Sequence, residues 1–495
     1  MRWIIVIVLV CGGAQLAAED LFRSPFAGTW YSKDGEQLRT TLTALLKAAP
    51  RAELLSAPNV VLVPHSAYPF AGGVAAAGFR LLEGRSYDRI VILAPNHEGR
   101  GRRIAMLDAD GYETPLGVQP LDRKAISTLA GDPLFVRDRI PFTTDHGVDL
   151  QVPWLRLLAP SAKLVPLLCE GLRLSDLVKV GNGLRKVLGN STLLVVSSDL
   201  THYGERFGYQ PFPGETARQL VTKISELDKE VLRLVVARDL PGLIQHVSAS
   251  RLTVCGVFPL AVALELVAAE GLSGAVLAYD TSSTTTGDYS TVVGYGAAAL
   301  TAPWSKAVVE TENAEAGEEL LRLAKDALRT GLRGSGELRL SRYRLGTRAK
   351  SFGGVFVIVF EGERVVDSRG TVAEITPVYQ TVLDAINELV RLPGIKELAA
   401  DEKRYAKTRV GVVLVGEVFR LVTEVELDPR VEGIYLSSRD GIQVLLPFEA
   451  VQRQLDAPRF LDALCGKAGL LEKCWRDTGR QVFRFRTQQY LEPLR

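Results

Sequence analysis

The chain has 495 residues, of which 47% are hydrophobic and 23% charged, and its formal net charge is +2. One hydrophobic core rarely serves more than roughly 250–300 residues, so this length predicts two or more domains. The balanced charge, without a long single-sign block, removes the electrostatic footprint of a nucleic-acid partner.

Residues 1–20, MRWIIVIVLVCGGAQLAAED, hold one arginine, an apolar run from Trp3 to Val10, and then small residues. This is the layout of a secretory signal with cleavage near Ala17 or Ala18. The run is shorter than the about 20 apolar residues a bilayer crossing needs, so no stable membrane span is expected after its removal. The expected location is exported, periplasmic or extracellular. Four cysteines then remain, Cys169, Cys255, Cys465 and Cys474, too few for a disulfide framework. Cys465 and Cys474 lie close enough in sequence to pair in an oxidising compartment, or to be two free thiols in one small domain.

An extended entry segment, Asp20 to Tyr31, precedes a stretch of helical spacing from Lys33 to Ala49. Val60 then opens VVLVPHSAY, four apolar residues that predict a strand buried on both faces. Pro64 stops it and leaves His65 just beyond its carboxyl end. A helix is expected over Ala71 to Leu82, and RIVILAPNHE, Arg89 to Glu98, repeats the strand–proline–histidine pattern with His97. A hairpin strand follows in GRGRRIAML, then a loop and edge strand in YETPLGVQP and a short helix from Asp122 to Ala130. TDHGVDLQVPWLRLL places His146 and Asp149 at the mouth of another helix.

Lys163 to Leu168 is a further buried strand, ending in Cys169 and Glu170. LLVVSSDLTHYG delivers Asp199 and His202 in the exit loop of the next one. A helix from Thr216 to Arg238 precedes RLTVCGVFPLAVALELVAA, which sets Cys255 and Gly256 at the start of a buried helix. Two strands around DTSSTTTGDYS close this half. The alternation predicts a three-layer α/β domain with a mostly parallel sheet over residues 21–302. Residues 303–316 have few large apolar side chains and read as a linker. The texture of 317–495 is α+β: an amphipathic helix from Glu319 to Leu332, the strand run GVFVIVFEGERVV, and a helix from Val378 to Leu392. Two long strands follow, the second turning at Arg439-Asp440-Gly441, and then QVFRFRTQQY.

In an open parallel α/β sheet, chemistry collects beyond the carboxyl ends of the strands. The chain has five histidines, and two of them follow such ends, so His65 and His97 are the candidate metal ligands. Cys255 is the third, because a helix N-terminus favours a thiolate; the structural alternative is a small buried residue beside Gly256. A His₂Cys set suits a transition metal, copper or iron, and zinc as well. Asp199 and His202 form a candidate proton-transfer pair or a brace behind the ligands. His146 with Asp149 would add a polar wall, and plain helix capping by Thr144 or Asp145 is the alternative there. His246 is read as structural.

VPHSAYPFAG, APNHEG, DHGVDLQVPWL, SSDLTHYG, TVCG and GDYSTVVGY resemble, in order, the motifs of the Memo family, AmmeMemoRadiSam system protein B. The resemblance implies a fold similar to class III extradiol dioxygenases and metal ligation by His65, His97 and Cys255. It also implies Asp199, His202 and His146 beside the metal, and redox or oxygen chemistry with copper or iron. A cysteine stands where dioxygenases use a carboxylate, so ring cleavage does not carry over. The second half, with GVFVIVFEGE, ELDPRVEGIYL, LLPFEAV, FLDALCGKAGL and WRD, resembles the AMMECR-type domain, AmmeMemoRadiSam system protein A. That family's Leu-Arg-Gly-Cys-Ile-Gly is here Val366 to Thr371, Val-Asp-Ser-Arg-Gly-Thr. Thr371 replaces the cysteine, which points the domain toward docking a protein partner rather than thiol chemistry.

The leading expectation is therefore a metal-dependent oxidoreductase with a small-molecule substrate the sequence does not name. The second is a non-catalytic metal-binding scaffold with a docking C-terminal domain, and the third is zinc-dependent hydrolysis. An open coordination position beside an enclosed pocket would separate the first from the second. Two methionines in all count against a Met-rich copper chaperone.

Overall fold

A computed structural model describes residues 20–493 except 53, 55, 100, 269–270, 272, 307–312, 335–337, 439–440 and 478–479. The signal expected at 1–20, apart from Asp20, and the tip of the Arg-Asp-Gly turn lie outside the described residues, as do residues 307–312 of the expected linker. The chain divides into two compact units. One comprises the residues up to Leu172 with Gly183–Arg238 and Leu252–Ser305; the other comprises Arg173–Asn182, Asp239–Arg251 and the residues from Lys306.

The first unit is built on a nine-stranded sheet. Its centre runs Val60–Val63, Thr192–Ser197, Arg89–Pro95, Lys163–Glu170, all parallel. Every residue of Val60–Val63 and Thr192–Ser197 is buried, and Arg89–Pro95 is buried after its first residue. Burying such β-branched side chains on both faces stabilises the layer by about 1.5–3 kcal/mol each. The flanks are antiparallel: Val292–Thr301 pairs with Val60–Val63 on one side, and Arg103–Met106 with Lys163–Glu170 on the other. The sheet is thus mixed rather than mostly parallel, because a strand distant in sequence runs antiparallel to the central strands on each side. The segment expected as loop and edge strand is a hairpin, Gly111–Thr114 with Gly117–Pro120, and it joins Leu21–Arg23 in a separate three-stranded sheet. Helices cover the central sheet; Tyr68–Phe79 lays Gly78 so close to it that an added Cβ would meet Val63 Cγ1 at 2.5 Å.

The second unit carries a six-stranded, wholly antiparallel sheet in the order Arg364–Thr371, Val355–Glu361, Thr408–Arg420, Val482–Leu491, Glu432–Ser438, Gly441–Leu445. Alternation sets Val355, Val357 and Val359 against the helices Asn313–Arg333 and Val378–Leu389. Phe356, Ile358 and Phe360 face the opposite way, toward Leu446 and Phe485. The first helix begins at Asn313, inside the stretch expected as linker. Cys465 and Cys474 are joined by a disulfide, one of the two alternatives the sequence leaves open. Among the described residues no helix is long and apolar enough to cross a membrane.

Candidate metal centre

His65 and His97 stand beyond the carboxyl ends of Val60–Val63 and Arg89–Pro95, two strands that both flank Thr192–Ser197. Cys255 approaches from Gly256, the cap of the helix Val257–Leu266. A Cβ on Gly256 would lie 2.4 Å from the Ser198 side chain, so only glycine lets this helix start abut the strand end. The result is a cluster in which one donor atom each from His65, His97 and Cys255 lies within 4.8 Å of the others. Donors on one tetrahedral ion stand roughly 3–4 Å apart, within side-chain reach of this arrangement.

The surrounding hydrogen bonds fix which nitrogen faces the cluster. Ser197 Oγ donates to the Gly147 carbonyl at 2.6 Å. Having one proton, it must accept from His65 Nδ1, 3.0 Å away. His65 therefore carries its proton on Nδ1, which leaves Nε2 directed at Cys255 Sγ, 3.2 Å distant. Asp145 Oδ2 accepts from His97 Nδ1 and from the His97 backbone N–H, both at 2.7 Å, and this frees His97 Nε2 in turn. Metal-binding histidines almost always give their second N–H to such a partner. The loop holding His97 is braced further by Asn96, whose amide donates to Glu170 Oε1 at 2.8 Å.

Burial works against charge here, yet the groups compensate one another. Burial would raise the Cys255 thiol, but the His65 imidazole, with hydrogen bonds from His65 and His97, brings it down to about 5. His97 is held up at about 10 despite its burial by Asp145 and Cys255, and His65 is raised by Cys255 and Asp199 against the same penalty. A thiolate among imidazoles is the donor set of a soft-to-borderline transition ion, and the residues present fit one. A cation held by these donors would displace the imidazole protons, so its uptake would be coupled to proton release.

The other expected residues fall at different distances from this cluster. His146 is inside it: its ring stacks on His97 at 4.9 Å, meets His65 edge-on at 5.1 Å, and stacks on Trp30 at 4.2 Å. Burial, then His65 and His97, push it down to about 3, so it stays neutral. His97, Asp145 and His146 form a second set of close donor atoms, but the Asp145 carboxylate is already occupied by His97 and by Gly147 N–H. Asp199 is buried under His65, taking its backbone N–H at 2.9 Å and the Ser66 hydroxyl at 2.5 Å. His202 sits in a short strand, His202–Tyr203, with Nδ1 between the carbonyls of Leu200 and Thr253 and its ring against Phe207. Its ring contact is with Phe207 and not with the rings of His65, His97 and His146. Asp149 faces elsewhere, held at 2.6 Å by the hydroxyls of Tyr31 and Tyr112.

Ser197, Gln151, whose amide donates to Ser197 Oγ at 3.0 Å, and Trp30 were not expected in the site, and Asp145 was read as no more than a cap. Asp145 had a signal, as the acid of the Asp-His doublet. Ser197 and Trp30 have none, since serine and tryptophan gain these contacts only when distant segments meet. Beside Ser66 and Trp30 opens a cleft of about 460 Å³, lined also by Phe70, Arg206 and Tyr295.

A possible transition-ion site of two histidines and a cysteine at the carboxyl edge of an α/β sheet is the class of protein this geometry defines. A family model described as Memo-like protein matches residues 23–299, more than half of the chain. The chain belongs to the Memo family, and residues 321–490 match a second model, AMMECR1, so the two domains are fused in one polypeptide. A MEMO1 family protein of Aquifex aeolicus is 30% identical over 276 residues, 54% of this chain and 95% of that one. One of Methanopyrus kandleri is 31% identical over 295 residues, 56% and 97% of the two chains. Protein MEMO1 of Rattus norvegicus is 28% identical over 286 residues, 56% and 95%. The crystal structure of an uncharacterized protein from Pyrococcus horikoshii aligns over 36% of this chain and 93% of its own, with 22% identity and a TM-score of 0.32, too low to bear on the fold.

Proposed function

We propose that the first unit is a metal-dependent redox protein, an oxidoreductase holding copper or iron through His65 Nε2, His97 Nε2 and Cys255 Sγ, on a fold similar to class III extradiol dioxygenases. The observation that carries this reading is the wiring behind the ligands: Ser197 and Asp145 each take an Nδ1 proton and leave both Nε2 atoms facing one thiolate. An ion held there would supply redox or oxygen chemistry. Zinc fits the same donors and is the competing occupant.

The chain's own groups complete the site. Ser66 lines the cleft and donates to the buried Asp199, so this pair holds a proton between substrate and protein interior. His202, with its Nδ1 proton fixed by two carbonyls, offers Nε2 as an acceptor. Neutral His146 and Trp30 wall the site against water. The reading as an enzyme places its substrate in that cleft, whose lining includes Ser66 and Trp30 but none of the three ligands. A non-catalytic scaffold is favoured instead by Thr371, which ends the edge strand of the second unit's sheet, where a protein partner could add a strand.

Metal analysis of protein purified without chelators tests the assignment. Wild type is expected to hold about one ion per chain and Cys255→Ala almost none; unchanged metal in the variant would remove the thiol from the ligand set. Ser66→Ala separates the two readings, since an enzyme keeps its metal and loses turnover. We also propose export, supported by the leader-like first 20 residues and by the Cys465–Cys474 bond, of a kind that persists in oxidising compartments. N-terminal sequencing of the mature protein checks it, and a soluble chain still beginning at Met1 counts against it.

A further inference from the structure

The second unit carries a cleft of about 510 Å³ that the metal reading does not use. One wall is the helix Asn313–Arg333, on which Lys325, Arg329 and Arg333 follow at four-residue spacing and so share a face. Like charges so spaced repel one another, an effect set against the favourable place of Arg333 in the last turn of the helix. Lys325 is committed to Glu492, whose other carboxylate oxygen takes the Val410 N–H at 2.9 Å. Arg333 lies over the Tyr405 ring, its guanidinium carbon 5.5 Å from the centroid. Among the described residues no carboxylate pairs with Arg329 or Arg333. With Glu402, three cations face two carboxylates around the cleft, a surplus of positive charge.

An independent observation comes from the opposite wall. Thr408, the first residue of the strand Thr408–Arg420, lines the same cleft, and its hydroxyl is buried with no hydrogen-bond partner. Buried hydroxyls are nearly always satisfied, because leaving one unpaired costs its full desolvation. A group kept in this state beside unpaired guanidiniums calls for an acceptor from outside the chain.

We infer that this cleft binds a small-molecule oxyanion, a carboxylate or a phosphomonoester, between Arg329, Arg333 and the Thr408 hydroxyl. The guanidiniums supply charge and forked donors, and the hydroxyl supplies the one further hydrogen bond that orients the ligand. Every residue that lines the cleft belongs to the second unit, and none is part of the metal centre.

The full chain is titrated calorimetrically with inorganic phosphate, phenyl phosphate and benzoate at one ionic strength held by chloride. Saturable binding of at least one probe is expected, weakened roughly tenfold or more in the Arg329→Gln/Arg333→Gln protein. Tighter binding of phenyl phosphate than of benzoate identifies a phosphomonoester, and the reverse order a carboxylate. Glutamine keeps the helix-forming tendency of the exposed positions, so the variant folds. Thr408→Val supplies the second readout: its thermal midpoint without probe is equal to or above that of wild type, while its affinity falls. No saturable binding of any of the three probes would overturn the proposal, as would equal affinity in wild type and both variants.

Discussion

Ser197 shows how far a single hydroxyl reaches. It has one proton, and the Gly147 carbonyl takes it, so the protonation of His65 follows by elimination. Ser197→Ala is expected to leave the fold intact and weaken metal binding by about 10–100-fold, the usual consequence of losing such a partner, read by competition with a chelator. Asp228 gives a pH prediction at the same scale. It is buried on the helix Ala217–Val236, accepts from Thr201 and Tyr279, and is raised from 3.8 to about 6 by burial that outweighs those bonds. Below pH 4 the carboxyl is protonated folded or unfolded. Between about pH 4 and pH 6 the unfolded chain releases this proton while the folded state keeps it, so on the order of 3 kcal/mol of stability is lost across that window and no more above it. Asp228→Asn keeps the Thr201 bonds on its carbonyl oxygen, reverses the one with Tyr279 and removes the charge, so urea unfolding should show the variant gaining on wild type between about pH 4 and pH 6.

Among the elements, the start of the helix Val257–Leu266 decides where the thiolate lies. Gly256→Ala forces a Cβ into Ser198, a clash expected to cost about 1–3 kcal/mol and to move Cys255 off the cluster, visible as lower metal content in a chain that still folds. The edge strand Arg364–Thr371 has a comparable constraint. Gly370 sits at φ +150, and a Cβ there would fall 2.1 Å from the Val355 carbonyl. This explains why glycine remains inside a motif whose cysteine is gone: the glycine serves the pairing of two strands, which is independent of any thiol chemistry.

For the molecule as a whole, the disulfide belongs to one unit only. Cys465 ends the helix Ala457–Lys467 region that packs with Ile434 and Leu436, and its bond to Cys474 closes a short loop there. By the loop-entropy account such a bond stabilises by about 3 kcal/mol. Calorimetry of the Cys465→Ser/Cys474→Ser protein should lower the transition of the second unit and leave that of the first where it is. A uniform shift of all transitions would show that the units unfold together.

The strands that aim His65 and His97, the burial of the sheet, and the motifs of both families were all legible in the sequence, because apolar runs, prolines and short motifs are local properties of a chain. His65, His97 and Cys255, whose candidate donor atoms the structure brings within 4.8 Å of one another, could also be picked out, since a histidine after a strand end and a cysteine at a helix start stand out by position. Other features arise only when segments far apart in sequence meet in space. The antiparallel returns that make the sheet mixed depend on which strand pairs with which. The service of Asp145 and Ser197 behind the histidines, the turning away of Asp149 toward Tyr31 and Tyr112, and the unpaired Thr408 hydroxyl depend on contacts across many residues. Local pattern determines which side chains can do chemistry; tertiary packing decides which proton, on which nitrogen, they do it with.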